Sequence, residues 1–291
     1  FIGGIVMAID HKQVTQLEKL ALNIQLDILI SVKQRGEESM DCSFSMIKLL
    51  AVLYGKQMKI DPKKPDWGNR DQLVLAKSHA VLELYSTLSN LGYFDKKWLW
   101  TMSHQGDRLP KKLDRSKTPG IDVTIGDLNN GVAIAAGLAM GLKIANKEND
   151  VYLVMDEDEL KDERCWQVFQ CIAHFKLDHC LVIIDSGYRK REQLSKRYEK
   201  SYLLKRKAEK AGFYTLLVDG TNIKAINEAI EEYKMRTTQA FCIVLESYPE
   251  RVLSDLTMDD HEDSSKKIPK TFHQEIEKTI LKLQEKLERM S

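Results

Sequence analysis

The sequence is poor in glycine and proline, with 15 and 6 among its 291 residues. Few glycines therefore remain for sites where the backbone must approach a ligand closely. A surplus of charge is also missing, since 44 Lys and Arg stand against 43 Asp and Glu, a formal net charge of +1. This balance argues against a general nucleic-acid binder, which needs a basic surplus for its phosphate contacts.

Long hydrophobic runs are absent, and none reaches the roughly 18 apolar residues of a membrane span. The longest run, Val132 to Leu142, is rich in Gly and Ala and predicts a buried helix. The cysteines are odd in number, and no pair has the spacing of a zinc or redox site, so we expect reduced thiols and a cytoplasmic protein. These five cysteines are Cys42, Cys165, Cys171, Cys180 and Cys242.

What is present is a globular composition, 43% hydrophobic and 30% charged, in a chain long enough for a large core. Short apolar runs alternate with helical patterns, which predicts βαβ units and a mainly parallel sheet with helices on both faces. The predicted strands are Leu73–Ala76, Val151–Met155, Cys180–Asp185, Tyr214–Val218 and Phe241–Glu246.

The predicted elements indicate one α/β domain over residues 1–247. Residues 248–291 are predicted to form a charged linker and a C-terminal helix packed on the same domain. Because ligands of such sheets bind at the carboxyl ends of the strands, the loops after Met155 and Asp185 are the first places to look for a site.

Several short strings along this framework occur in an order and spacing that resemble those of a known family. They include Lys77-Ser78-His79-Ala80, Ser116-Lys117-Thr118-Pro119-Gly120, Gly126-Asp127-Leu128-Asn129-Asn130-Gly131, Ala173-His174-Phe175-Lys176-Leu177-Asp178 and Val218-Asp219-Gly220. Taken together, the chain from Leu17 to Leu245 resembles the N-terminal half of transketolases. The resemblance implies the doubly wound fold that binds the diphosphate of thiamine diphosphate.

The resemblance also implies a set of site positions. The family's Gly-Asp-Gly, with an Asn about thirty residues later, holds the diphosphate and a near-octahedral Mg²⁺. The corresponding residues here are Asp156, Glu157 and Asp158, with Glu157 in the metal-ligand position and Gly187 in that of the Asn. Further implied cofactor-binding positions are Gly126, Leu128 and His261.

The replaced glycines and the added carboxylates predict that the isolated chain lacks thiamine diphosphate and Mg²⁺. One like-charge pair at ~4 Å costs about 4 kcal/mol at an effective dielectric constant of 20. The acidic run from Asp156 to Glu159 has two interpretations, a solvated loop at a helix start or a new cation site.

Histidines of the family are replaced at two positions, with Ser39 in one and Ile121-Asp122 in the other. His79 is retained and is the candidate catalytic residue. Its alternative role is a helix cap or an ordinary core contact.

Three functions follow as hypotheses. The motif losses favour a degenerate subunit that acts as a structural or regulatory partner. The alternative is an active N-terminal subunit of a two-component transketolase, which transfers a two-carbon ketol unit between sugar phosphates. A third possibility is an acidic pocket for a cation.

The expected partners are a second copy of the chain, forming a homodimer, and a transketolase C-terminal half, forming a heterotetramer. Neither nucleic acid nor membrane is expected.

Overall fold

A five-stranded parallel sheet in the order β1-β2-β3-β5-β4 forms the centre of the protein. The computed structural model describes residues 9–35, 44–102, 108–126, 130–186, 194–235, 239–247 and 270–290. The strands are β1 (Gln72–Ala76), β2 (Val151–Asp156), β3 (Cys180–Asp185), β4 (Tyr214–Asp219) and β5 (Phe241–Glu246). All four strand pairs are parallel, which confirms the predicted sheet.

Helices cover both faces of the sheet, because alternate strand residues point to opposite sides. In β2, Tyr152 and Val154 belong to one core cluster, while Leu153 and Met155 belong to the other. The first cluster also includes residues of α1, α2, α3 and α7, and the second includes residues of α4, α5 and α6. The helices are α1 (His11–Arg35), α2 (Ile47–Val52), α3 (Val81–Asn90), α4 (Asn130–Ile144), α5 (Glu163–His174), α6 (Leu194–Lys210), α7 (Ile223–Met235) and α8 (Lys270–Arg289).

Helix α4 differs from the buried helix that its apolar run predicted. Only one side of it is buried, through Gly131, Val132, Ala135 and Ala139. The opposite side is open in the single chain, and Ile144 is 75% exposed. Apolar composition thus identified the helix but not what covers its outer side.

The last helix, α8, packs against α1. Ile276 is fully buried within the first core cluster, and Glu277 forms an ion pair with Lys33 at 2.7 Å. The division into residues 1–247 and 248–291 stays a prediction. Within the described ranges, no helix combines the length and apolar character needed to cross a membrane.

Candidate functional site

The parallel register places three charged residues in one row at the carboxyl edge of the sheet. Asp156 and Asp185, the last residues of β2 and β3, are register partners. Lys77 follows directly on Ala76, the last residue of β1, whose partner is Met155. The three side chains therefore reach the same face, one residue beyond the apolar interior.

These three residues form a buried ionic cluster. The Lys77 ammonium lies 2.6 Å from Oδ2 of Asp185 and 3.1 Å from Oδ2 of Asp156. The hydroxyl of Ser45, just before α2, donates a hydrogen bond of 2.9 Å to the same oxygen of Asp185. We call Lys77, Asp156, Asp185 and Ser45 the edge cluster.

The electrostatics keep the lysine of the edge cluster charged. Burial alone would lower the pKa of Lys77, but Asp185 and Asp156 outweigh this effect and raise it. Glu83 of α3 is fully buried, adds to the same field and accepts a hydrogen bond of 3.2 Å from the backbone N–H of Met46.

A 3₁₀ helix, Glu157–Lys161, continues from β2 and carries the metal-ligand candidate. Asp156 caps this turn by accepting a hydrogen bond from the backbone N–H of Asp158. Oε1 of Glu157 contacts the ammonium of Lys200 on α6. Its other oxygen, Oε2, is buried and has no hydrogen-bond partner among the described residues. Burial raises the pKa of Glu157, and Lys200 acts in the opposite direction.

The acidic run is not the uniform negative charge that the sequence suggested. Asp156 contacts Lys77, Glu157 contacts Lys200, and Asp158 lies 2.7 Å from the ammonium of Lys161. Since three of these carboxylates are paired with lysines, the repulsion expected for a diphosphate is largely offset. The interpretation as a solvated loop also fails for Asp156, whose side chain is 9% exposed.

The described residues supply one ligand atom suited to a divalent cation. A buried carboxylate oxygen without a hydrogen bond is a donor suited to Mg²⁺, and Glu157 supplies it. No group of three His, Cys, Asp or Glu side chains able to hold a metal occurs within the part of the chain that the structure describes. Further ligands would have to be water, the diphosphate itself or groups outside those ranges.

The remaining predicted site residues are only partly described. His79 lies in a 3₁₀ helix, Ser78–Ala80, two residues beyond Lys77, and is half-buried. It is not the cap of α3, because Ala80 occupies that position. Gly126 is exposed, and a Cβ there would meet no atom of the other described residues within 4 Å, so these residues leave its backbone open. Leu128, Gly187 and His261, like Ser39 and Cys42, lie outside the described residues.

Asp122, which follows the replaced histidine position at Ile121, has a structural role. It forms a buried ion pair of 2.7 Å with Arg70 and accepts a hydrogen bond from the backbone N–H of Leu73. These contacts lie at the amino edge of the sheet, away from the edge cluster.

Sequence reasoning assigned no role to Lys77, Asp185, Ser45 or Lys200. A signal for the first two was present, because each is a charged residue at the end of an apolar strand, where ligands of parallel sheets bind. Ser45 and Lys200 reach the site from segments distant in sequence, so no local pattern could have revealed them.

A cavity of about 50 Å³ opens beside Ser45. Residues of α1, Phe44, Lys48, Thr221 and Lys286 line it. Pockets for cofactor-sized ligands measure about 300–1,000 Å³, so this cavity is too small to hold one.

Comparisons with known proteins give the family. A family model described as "Transketolase, thiamine diphosphate binding domain" matches residues 19–247. The 6-deoxy-6-sulfo-D-fructose transketolase subunit SqwG of Clostridium sp. (strain MSTE9) is 31% identical over 203 residues, which are 70% of this chain and 74% of that protein. An apulose-4-phosphate transketolase subunit of Actinobacillus succinogenes is 26% identical, over 74% of this chain and 79% of that protein.

Solved structures agree on the fold. The transketolase from Campylobacter jejuni superposes with a TM-score of 0.69 at 20% identity, over 97% of this chain. The chain covers 48% of that transketolase and so spans about half its length.

The expectation that the isolated chain has no cofactor is wrong. The matching family model is that of a domain that binds thiamine diphosphate, and both named relatives are subunits of transketolases. The physical error lay in counting the carboxylates at residues 156–159 without the lysines that the fold brings to them.

Proposed function

This chain belongs to the transketolase family, as its thiamine diphosphate-binding part, and we propose that it is the N-terminal subunit of an active two-component transketolase. The observation that carries the proposal is Glu157, whose buried Oε2 has no hydrogen-bond partner among the described residues. It stands at the carboxyl edge of the parallel sheet, where a ligand is expected.

Each candidate residue has a proposed task. Glu157 would ligate the divalent cation, while the open backbone at Gly126 would allow the diphosphate to approach closely. His79 would bind substrate or hold a proton near the reacting atoms. When bound, thiamine diphosphate would supply the stabilised carbanion chemistry that two-carbon transfer requires.

The proposed substrates are sugars with an anionic end. One named relative is a transketolase subunit for 6-deoxy-6-sulfo-D-fructose and another for apulose-4-phosphate. We therefore expect a ketol donor that carries a phosphate or a sulfonate. A separate C-terminal-half subunit would supply the rest of the active site.

Isothermal titration of thiamine diphosphate, with and without Mg²⁺, tests the cofactor step. We expect Mg²⁺-dependent binding by the chain in complex with its C-terminal-half partner. Glu157→Gln removes a proposed direct ligand and should weaken it by at least the ~10- to 100-fold that loss of a residue orienting a ligand costs. The control is Glu163→Gln, the same change six residues later on an exposed side chain, which should bind like the wild type.

A degenerate, non-catalytic partner subunit is the second candidate, favoured by the aspartates in place of the family's glycines. It predicts no Mg²⁺-dependent binding by the wild-type complex and no transfer of a ketol unit from any phosphorylated or sulfonated ketose. Equal affinity of the wild type and Glu157→Gln would instead show that Glu157 is not a metal ligand. The transfer activity would then be decided by its own assay.

The proposed assembly is a homodimer that extends to a heterotetramer with the partner subunit. Its support is helix α4, where Ala133 and Ile144 are exposed and Ala136 and Met140 are only partly buried in the single chain. Monomers rarely expose apolar patches beyond a few hundred Å². Light scattering should give about twice the chain mass of 33.5 kDa, and Ala136→Glu should halve that value. A wild-type monomer at micromolar concentration would contradict the homodimer.

A further inference from the structure

We propose that Lys77 is a positioning residue of the cofactor site, which fixes the 3₁₀ helix after β2 and the first residue after β3. The inference deepens the proposed function and rests on it. Lys77 acts through Asp156 and Asp185, the two carboxylates that end these strands.

The first connection leads from Lys77 to Glu157. The ammonium holds Oδ2 of Asp156 at 3.1 Å, while Oδ1 of the same carboxylate accepts the N–H of Asp158. Asp156 thereby orients the first turn of the 3₁₀ helix that contains Glu157. A shift of this carboxylate would move the start of that helix and, with it, Glu157.

The second connection leads from Lys77 to the loop after β3. The ammonium and the Ser45 hydroxyl both reach Oδ2 of Asp185, at 2.6 and 2.9 Å. The next residue, Ser186, shares a hydrogen bond of 2.9 Å with Ser201 of α6. Helix α6 also carries Lys200, the contact of Glu157. Lys77 is therefore connected to Glu157 along two routes, one through Asp156 and one through Asp185 and α6.

The sheet itself does not need Lys77. The ladder between β2 and β3 extends to the pair Asp156 and Asp185, so the backbones are held together up to this point. What Lys77 adds is the orientation of the two side chains at the edge. This separates a positioning role from a merely structural one, because its loss should loosen the loops and leave the strands intact.

The lysine also accounts for an aspartate in a position where the family has glycine. A buried carboxylate is costly unless it is paired and hydrogen-bonded. Lys77 provides that pairing for Asp156 within the same chain, so the acidic side chain is tolerated at the edge where a polyanion would approach.

Lys77→Met tests the inference, because methionine keeps an unbranched side chain that is only one atom shorter and removes the charge. The control is Lys56→Met, the same substitution at a lysine that pairs with Glu231 at 2.6 Å in another part of the fold. Two measurements are made on both variants: amide hydrogen exchange, and titration with Mg²⁺ and thiamine diphosphate in the complex with the partner subunit.

We expect Lys77→Met to accelerate exchange at the amide of Asp158, at the start of the 3₁₀ helix, and at that of Asp162, at its end. Exchange in β2 and β3 should be unchanged. The affinity of Lys77→Met for the cofactor should fall by about 10- to 100-fold, as found when residues that orient metal ligands are removed. Lys56→Met should change neither the exchange rates of these amides nor the affinity for the cofactor.

The inference would be overturned if Lys77→Met exchanged at the 3₁₀ helix no faster than Lys56→Met. Unchanged cofactor affinity of Lys77→Met would overturn it as well. If the wild type and Lys56→Met bind no cofactor, the proposed function fails, and exchange alone decides whether Lys77 positions the loops. If Lys77→Met does not fold, the charge-balanced variant Lys77→Met/Asp185→Asn replaces it. The same local acceleration is then required.

Discussion

The two edges of the central sheet both contain buried carboxylates, but they hold them differently. At the amino edge, Asp71 accepts the backbone N–H groups of Lys59 and Asp150 at 2.7 and 2.9 Å. At the carboxyl edge, Asp185 is held by the side chains of Lys77 and Ser45. The backbone donors fix the course of the chain around Asp71, whereas the side-chain donors of Asp185 come from segments distant in sequence. We therefore expect substitutions at the amino edge to affect mainly stability and substitutions at the carboxyl edge to affect mainly ligand binding.

The largest effect on stability is expected at the amino edge. Asp122→Asn would leave the buried guanidinium of Arg70 without its counter-charge and weaken the hydrogen bond from Leu73. Breaking one partner of a buried pair typically costs about 3–5 kcal/mol of unfolding free energy. Urea denaturation measures this loss, and thiamine diphosphate affinity below the melting transition should stay at the wild-type value. A loss of affinity with little change in stability would reverse the assignment of the two edges.

A smaller effect is expected where α4 meets the carboxyl edge. A Cβ at Gly131 would lie 2.5 Å from Cβ of Ala76, the residue before Lys77. Gly131→Ala should therefore push α4 away from β1 and cost about 1–3 kcal/mol, as overpacked cores do. Thermal unfolding measures the change.

Gly137→Ala is the matched control for this substitution. It lies in the same helix, and within the described part of the single chain its added methyl group would meet no atom within 4 Å. It should be neutral or raise stability by up to about 1 kcal/mol through helix propensity. Equal destabilisation by both variants would show that the contact between Gly131 and Ala76 is not the cause.

The smallest effect concerns thiol chemistry and leaves the fold intact. Burial, with a further contribution from Asp150, raises the pKa of Cys180 at the amino edge to about 12, so little reactive thiolate forms at neutral pH. Burial also raises the pKa of Cys242. Among the four described cysteines, Cys171 is the exposed one, on α5, and should react before the other three with a maleimide reagent, as peptide mass mapping would show. Equal labelling of Cys180 in the native protein would mean that the amino edge opens readily.

The parallel sheet could be predicted because its cause is local. Runs such as Cys180–Asp185 and Phe241–Glu246 are too short and too apolar for surface helices, and their alternation with amphipathic segments leaves a parallel arrangement as the simplest way to bury both faces. The predicted and observed strands agree within one residue at each end. The family and its thiamine diphosphate-binding fold also followed from the order and spacing of short motifs.

The charge state of the site was decided only by the tertiary structure. The sequence shows Asp156 and Glu157 as neighbours in an acidic run, and their expected repulsion of a diphosphate, together with the replaced glycines, was the reason to predict no bound cofactor. Their partners, Lys77 and Lys200, lie 79 and 43 residues away along the chain and meet them through the strand register and the path of α6. Electrostatic energy depends on distance in space rather than in sequence. The sequence could therefore locate the carboxylates but could not show which lysines lie next to them.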